Sequence, residues 1–356
     1  MHTGGLERQL VYLLRVLDRD RYRPAVAVWL YDENDVRIPE VRALGLPIYA
    51  MSGPASGTEK LRAFRLLAKQ LTPEVIHSYT FFTNVAASWG ASPISAVPVG
   101  SIRSDFDWGI RDAGTVLGRV SARWPRYQIS NSFSAAAAAS TSRSVFAPRR
   151  CQVVWNGIDL EMFRASEPPC GQPLIVGLGY LLPVKRWDRL LRVGSGLEQR
   201  GLDYRIEIAG DGPLRDSLEE QARNLGLAHR VEMSPHTDDV PGLLARSSFL
   251  VLTSDNEGTP NVVMEAMACG RAVVATAVGD IPHLVEDGKT GFVVQPGDET
   301  ALIDRMATLI GDPALCARMG RAAREKAEQD FGLERLGSET LAFYREAGWQ
   351  ERTAIG

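Results

Sequence analysis

Short apolar runs alternate with longer stretches of helical period along almost the whole chain. In the first half the runs lie at 26–30, 47–49, 75–77, 97–102, 126–130 and 153–154, with helical periodicity at 6–17, 59–71, 83–91 and the alanine-rich 134–143. Asn156 to Asp159 and the Pro- and Gly-containing stretch 168–173 interrupt this pattern, which then restarts. Runs at 174–178, 204–209, 231–233, 249–253, 272–276 and 292–294 alternate with helices at 186–200, 214–225 and 238–246. Helices at about 299–310, 313–329 and 333–346 close the chain. Such alternation predicts an α/β protein with two doubly wound parallel sheets. A length of 356 residues allows each its own core. The expected divisions are 1–165, 170–330 and a C-terminal helical segment at 331–356.

The stretch from Ser254 to Gly270 carries the densest chemistry. It follows the buried run at 249–253. Thr259 is placed to cap a helix, Pro260 fits its first position, and Gly270 ends it after about Cys269. The N–H groups opening such a helix attract anions, phosphate above all. Glu257 lies in the loop before it, and Glu265 roughly 7–8 Å behind its start at 1.5 Å per residue. Glu265 is flanked by Val262, Val263, Met264, Ala266, Met267 and Ala268, and a carboxylate among apolar neighbours needs a partner. An ion pair would satisfy it as well as a ligand would.

Composition narrows the class. A hydrophobic content of 45% and a charged content of 23% fit a globular protein. No apolar run is long enough to span a bilayer and no signal-peptide pattern opens the sequence. Cys151, Cys170, Cys269 and Cys316 lack metal-ligand spacing, so reduced thiols and a cytoplasmic location are expected, with peripheral contact at the membrane face an option. Charge is unevenly divided. Residues 1–150 hold 19 Lys and Arg against 12 Asp and Glu, and the remainder 21 against 31. The basic half suits an anionic partner such as a phospholipid surface or phosphorylated acceptor, or simply solvated helix faces. Nucleic acid is not expected. Within the basic half, 108–127 joins Trp108, Trp124, Val116 and Leu117 to Arg111, Arg119, Arg123 and Arg126, and could lie on an anionic bilayer or cover a rim of the fold.

Further candidates are weaker alone. Gly5 sits in a glycine turn before the first helix, yet almost nothing precedes it where a strand would be expected. Lys185 follows a Gly-containing strand end and can reach a phosphate; five lysines among 40 basic residues make its choice there notable. Asp105 with Asp107, and Asp18 with Asp20, spell Asp-x-Asp, a spacing of carboxylates that can hold a divalent metal.

Taken together and in order, these features resemble the retaining glycosyltransferases of family 4, the group 1 transferases, which have the GT-B fold. The resemblance covers essentially the whole chain. It is carried by Gly4, Gly5 and Glu7; by Asn156 to Asp159 with Phe163; and by Lys185 and Gly210 to Pro213. Glu257 to Asn261, Glu265 to Gly270, Gly279 with Ile281 and Pro282, and Gly288 to Gly291 complete it. The resemblance implies two Rossmann-like domains facing a cleft, the first on the acceptor side and the second binding a UDP- or GDP-linked sugar. It implies Glu265 on the ribose, Glu257 on the transferred sugar, and the amides of Gly258, Thr259, Pro260, Asn261 and Val262 around sugar and phosphate (proline contributing no N–H). Lys185 would neutralise the diphosphate and Gly5 would let backbone approach it. Transfer to a hydroxyl acceptor, lipid-linked or destined for a surface polysaccharide, would proceed with retention and without a bound metal or cofactor. The last helix would cross back to the first domain and couple closure to a hinge near 156–172.

The chain departs from the family in three places. Tyr180 stands where an Arg commonly assists the diphosphate, with Arg186 the nearest substitute. Arg103 stands near a common His and is assigned an acceptor or phosphate role, while His77 reads as structural. The first strand of the N-terminal domain is missing, and the expectation is that the natural coding sequence begins upstream of Met1. These departures keep open the alternative of a non-catalytic sugar-nucleotide-binding or partner subunit.

Overall fold

A computed structural model describes residues 5–32, 35, 37–51, 56–103, 106–141 and 147–351, with the backbone alone at 107, 108, 112 and 115. The chain divides into two compact units, Met1–Gly157 with Leu333–Gly356, and Ile158–Gly332. Residues 158–165, expected with the first domain, belong to the second unit. The reason is local: the Ile158 N–H donates to Phe331 O at 2.7 Å, and Arg324 donates to the carbonyl of buried Phe163 at 2.7 Å.

In the first unit the order is α1 (Gly5–Val16), β1 (Val26–Val28), α2 (Arg37–Ala43), β2 (Ile48–Ala50), α3 (Gly57–Leu71), β3 (Val75–His77), α4 (Asn84–Ala91) and β4 (Val97–Ile102). Then come α5 (Phe106–Asp112), α6 (Thr115–Arg123), β5 (Tyr127–Ser130), α7 (Phe133–Thr141) and β6 (Arg150–Val153). All pairing is parallel, but it forms separate ladders, β1–β2 and β3-β4-β5-β6. No strand precedes α1 among the described residues. Alternation along β4 and β5 builds a core on both faces of the larger sheet. Val99 and Ile129 pack with Tyr12 and Leu13 of α1, while Ile102 packs with Phe81, Phe106, Ala122 and Ala135. The last strand lies at Arg150–Val153 rather than at 153–154, because Arg150 and Gln152 pair into the edge of the sheet although their side chains break the apolar pattern.

The second unit runs β7 (Leu174–Leu178), α8 (Trp187–Gln199), β8 (Arg205–Ala209), α9 (Arg215–Asn224), β9 (Val231–Ser234), α10 (Val240–Ala245), β10 (Phe249–Leu252) and α11 (Asn261–Ala268). It continues through β11 (Ala272–Thr276), α12 (Ile281–Leu284), β12 (Gly291–Val294), α13 (Glu299–Gly311) and α14 (Pro313–Asp330). The final helix, α15 (Leu333–Glu346), belongs to the first unit, where Leu336 and Phe343 join the core beside Val99. The second sheet is wholly parallel in the order β12-β11-β10-β7-β8-β9. Every residue of β10 and β11 is buried, as expected for strands covered by helices on both faces. The strand order reverses between β7 and β10, and a crevice opens at such a reversal beyond the carboxyl ends of the strands.

Candidate active site

Both loops that carry the strongest candidates leave the sheet at this reversal. After β7 the chain passes Gly179 to Leu182 and makes a single 3-10 turn, Pro183–Lys185. After β10 it passes Thr253 to Pro260 and enters α11. The loops are stitched together before any ligand is considered. The Asp255 N–H donates to Val184 O at 2.9 Å and the Thr253 hydroxyl to Arg186 O at 2.9 Å. Buried Arg189 donates to Thr253 O at 2.7 Å and to Asp255 Oδ1 at 2.7 Å. This places Lys185 Nζ 2.7 Å from Glu257 Oε1, and the Ser254 hydroxyl donates to the same oxygen at 2.6 Å. The side chains of Lys185 and Glu257 are 20% and 9% exposed, so the pair is largely sheltered from screening. Glu257 Oε2 accepts from no group among the described residues, although a carboxylate offers about four acceptor positions.

The Glu257 loop is braced from behind. Gly279 has a φ of 53°, and a Cβ there would lie 2.1 Å from Glu257 O. Only glycine permits both the left-handed backbone and that approach. The Asp280 N–H donates to Gly258 O at 3.0 Å, and the Thr259 hydroxyl donates to Asp280 Oδ2 at 3.0 Å. Thr259 is therefore not the helix cap expected from the sequence. Its hydroxyl is drawn to the Asp280 carboxylate, Pro260 becomes the cap residue in an extended conformation, and α11 starts at Asn261. Val262 follows in the first turn. Glu265 lies further along α11, 2% exposed, among the buried Val263, Met264, Ala266 and Met267. A Cβ at Gly258 would meet nothing within 4 Å, so the loop is open on that side.

Arg186 does not replace the cation missing at Tyr180. It donates to Asp188 Oδ1 at 3.0 Å and to Asp255 Oδ2 at 2.7 Å, and its charge is committed to these carboxylates. For Asp188, burial works against ionisation, but hydrogen bonds from Arg186 and Arg192 prevail and hold the carboxyl at about 2. Tyr180 itself is exposed, and its carbonyl takes the indole N–H of Trp187 at 3.0 Å. The Gly210 turn serves packing, since a Cβ on Gly210 would lie 2.0 Å from Gly179 O, behind the Lys185 loop.

Gly5 and Arg103 lie in the first unit. Gly5 opens α1 and is exposed, while most of its glycine turn falls outside the described residues. Arg103 follows β4, lies 4.6 Å over the Tyr79 ring, and donates to Asn156 Oδ1 at 3.2 Å. His77 ends β3 with both ring nitrogens engaged, Nδ1 with the Tyr344 hydroxyl at 2.8 Å and Nε2 with the Ser101 hydroxyl at 3.0 Å. Burial, aided by the charge of Arg103, pushes this imidazole down to about 3. It is a neutral fastener between β3 and α15. Asp105 lies outside the described residues, as does the side chain of Asp107. Asp18 accepts from the Asp20 N–H at 2.9 Å in an exposed turn, which is local capping. Ser254 and Asp280, both missed in the sequence, complete the site. Ser254 stands three residues before Glu257 and could have been suspected; Asp280 arrives from another loop.

Residues 159–326 match the family model described as glycosyl transferases group 1. The second unit belongs to this family. Among curated relatives, N-acetyl-alpha-D-glucosaminyl L-malate synthase of Bacillus anthracis is 34% identical over 143 residues, 40% of this chain and 38% of that protein. The GDP-mannose-dependent alpha-(1-6)-phosphatidylinositol monomannoside mannosyltransferase of Mycolicibacterium smegmatis is 34% identical over 188 residues, 49% of each chain. The match thus spans less than half the length of either relative. HepE of Anabaena, solved in complex with UDP, aligns with a TM-score of 0.81 over 96% of both chains at 20% identity. That likeness is one of fold, and the fold is GT-B. Lys185, Glu257 and Glu265 all fall inside the group 1 segment.

Proposed function

We propose that the protein is a retaining glycosyltransferase of hexosyltransferase type. It moves a sugar from a UDP- or GDP-linked donor to a hydroxyl acceptor, with a lipid-linked or surface glycoconjugate as the acceptor class. The observation that carries the reading is the Lys185–Glu257 pair at the strand-order reversal, with one carboxylate oxygen unspent among the described residues. The bond from the anomeric carbon to the diphosphate breaks as the bond to the acceptor oxygen forms, the acceptor hydroxyl's proton passes to the departing diphosphate oxygen, and negative charge grows on that diphosphate as it leaves. Lys185 Nζ offsets that charge, together with the N–H groups opening α11. Glu257 accepts hydroxyls of the transferred sugar through Oε2, and Glu265 accepts the two ribose hydroxyls. The amides of Gly258, Thr259, Asn261 and Val262 supply donors around sugar and phosphate. On this reading a lysine and backbone dipoles take the role of a divalent cation. Gly5 and Arg103 are assigned to the first unit's share of diphosphate and acceptor binding. HepE binding UDP and the GDP-mannose-dependent relative both support a nucleoside-diphosphate donor while leaving the base open.

The test is to supply UDP- and GDP-sugars with an acceptor pool and follow nucleoside diphosphate release, with and without EDTA. Release that persists in EDTA is expected. Release that needs added Mn²⁺ would contradict the metal-free reading. A second reading, a sugar-nucleotide-binding subunit without turnover, is favoured by Tyr180 and by the commitment of Arg186 to Asp188 and Asp255, which leave one cation fewer for the diphosphate. Nucleotide binding without release under any donor and acceptor would establish it.

A further inference from the structure

Lys185 is aimed by its neighbours, and Asp255 joins several of them. The turn that carries the lysine, Pro183–Lys185, is short and its own hydrogen bonds are local: the Lys185 N–H donates to Leu182 O at 3.0 Å and the Arg186 N–H to Pro183 O at 3.2 Å. Arg186 then takes a left-handed conformation, φ 55° and ψ 43°, before α8 begins at Trp187. A residue with a Cβ seldom adopts that backbone, and it persists where surrounding groups fix it.

Asp255 supplies such groups from the other loop. Its N–H donates to Val184 O at 2.9 Å. Its Oδ2 accepts from Arg186 Nη1 at 2.7 Å and its Oδ1 from Arg189 Nη2 at 2.7 Å. One residue thus grips the chain on either side of Lys185 and the first turn of α8. The hydrogen bond from Arg186, the largest influence, holds the Asp255 carboxyl below the ordinary carboxylate range, so the grip is ionic at neutral pH. Asp188 also accepts from Arg186, but it stands two residues on in α8 and cannot tie one loop to the other. Arg186 and Asp255 line an open cavity of about 570 Å³ with Asp188, Leu214, Leu218 and Gln221, whereas Lys185 and Glu257 are not part of its lining. The Asp255 carboxylate therefore borders a different space from the Lys185–Glu257 pair and reaches that pair through the turn. The side chains of Arg186 and Asp255 are 30% and 44% exposed, and ion pairs so exposed add little to stability. The consequence of this one is the direction it gives to Lys185.

We infer that Asp255 is a positioning residue: by holding Val184, Arg186 and Arg189 from the neighbouring loop, it fixes the turn that points Lys185 at Glu257. Its effect on turnover rests on the role proposed above for Lys185; the geometric claim does not.

Competitive acetylation of the amino groups in the full chain, read by mass spectrometry at each lysine, tests the geometry without a sugar donor. Lys289, with a side chain 67% exposed, is the internal reference. Lys185, 20% exposed and hydrogen-bonded to Glu257, should react more slowly than Lys289 in wild type. Asp255→Asn should raise the Lys185 rate about fivefold, the weight of one net hydrogen bond, with Lys289 unchanged. General loosening would raise both. Arg186→Gly permits the same backbone but removes the guanidinium; it should act in the same direction, and it decides the matter if Asp255→Asn does not fold. Asp188→Asn should leave Lys185 within about twofold of wild type. In turnover, Asp255→Asn should lower kcat about tenfold, yet cause no further loss on top of Lys185→Ala, because it acts through that lysine. Lys185 reacting as fast as Lys289 in wild type would overturn the inference. So would unchanged Lys185 labelling in the folded Asp255→Asn and Arg186→Gly proteins, an equal rise in Asp188→Asn, or an equal loss of turnover from Asp255→Asn in the Lys185→Ala background. If no donor turns over in wild type, the proposed function fails while the labelling still decides the inference.

Discussion

His77 and Glu257 make an instructive pair. Each sits at or just beyond the end of a parallel strand, and each is a titratable residue singled out by the sequence. His77 has both ring nitrogens occupied by Tyr344 and Ser101, and burial keeps it neutral. Glu257 has one oxygen held by Lys185 and Ser254, and the other accepts from no group among the described residues. The first unit exhausts the hydrogen-bonding capacity of its residue in joining β3 to α15. The second positions its residue and leaves capacity over. A titratable group at a strand end is best read as part of a site when the fold orients it without saturating it.

Substitutions can break this contrast. The largest effect is expected at Lys185. Lys185→Ala removes the cation opposite the leaving diphosphate and should lower kcat by about 10²–10³-fold; steady-state release of nucleoside diphosphate reads it. A smaller but structural effect is expected from Gly279→Ala, which forces a Cβ into Glu257 O and strains a left-handed position. A loss of about 1–3 kcal/mol in denaturant unfolding is expected, together with reduced turnover. If stability fell and turnover did not, the bracing of the Glu257 loop would be irrelevant to activity.

The His77 side of the contrast is tested by pH. The folded-state imidazole titrates at about 3, below its ordinary value near 6.5, so the unfolded chain binds more protons between those values. Its contribution to stability is complete above about 6.5 and is lost as pH falls toward 3, with a slope of at most about 1.4 kcal/mol per pH unit. His77→Gln should flatten that slope in unfolding measured across the window, at the cost of lower stability near neutrality. An unchanged slope would mean that His77 is not held neutral. The smallest stability effect is expected at Gly258→Ala, within about 0.5 kcal/mol, because its Cβ meets open space. Turnover should still fall, since the proposed sugar would share that space.

Much of the second unit was legible because its strands are buried on both faces and read as continuous apolar runs, with 174–178 and 272–276 matching β7 and β11. The first unit was read less well at short elements. α2, α5, α6 and β6 are brief or polar, and tertiary pairing rather than local pattern defines them. At the site, Lys185, Glu257 and Glu265 could be named from their places on strand-end loops and a helix. The Thr259 cap could not be judged, because its competitor Asp280 comes from a loop distant in sequence. The commitment of Arg186 to Asp188 and Asp255 was hidden for the same reason: Asp255 reaches it across β10 and β7. The site's residue types were visible, whereas the partners that decide which of them remain available are set by the fold.

The central claim is that Glu257 belongs to the reacting centre and not merely to the ion pair with Lys185. The direct measurement compares wild type and Glu257→Gln for binding of UDP and GDP by calorimetric titration and for nucleoside diphosphate release from the matching sugar donors. The expected result is nucleotide affinity preserved within about threefold, with release lowered by at least about 10²-fold. Equal release by both proteins, or loss of nucleotide binding in step with loss of release, would contradict it.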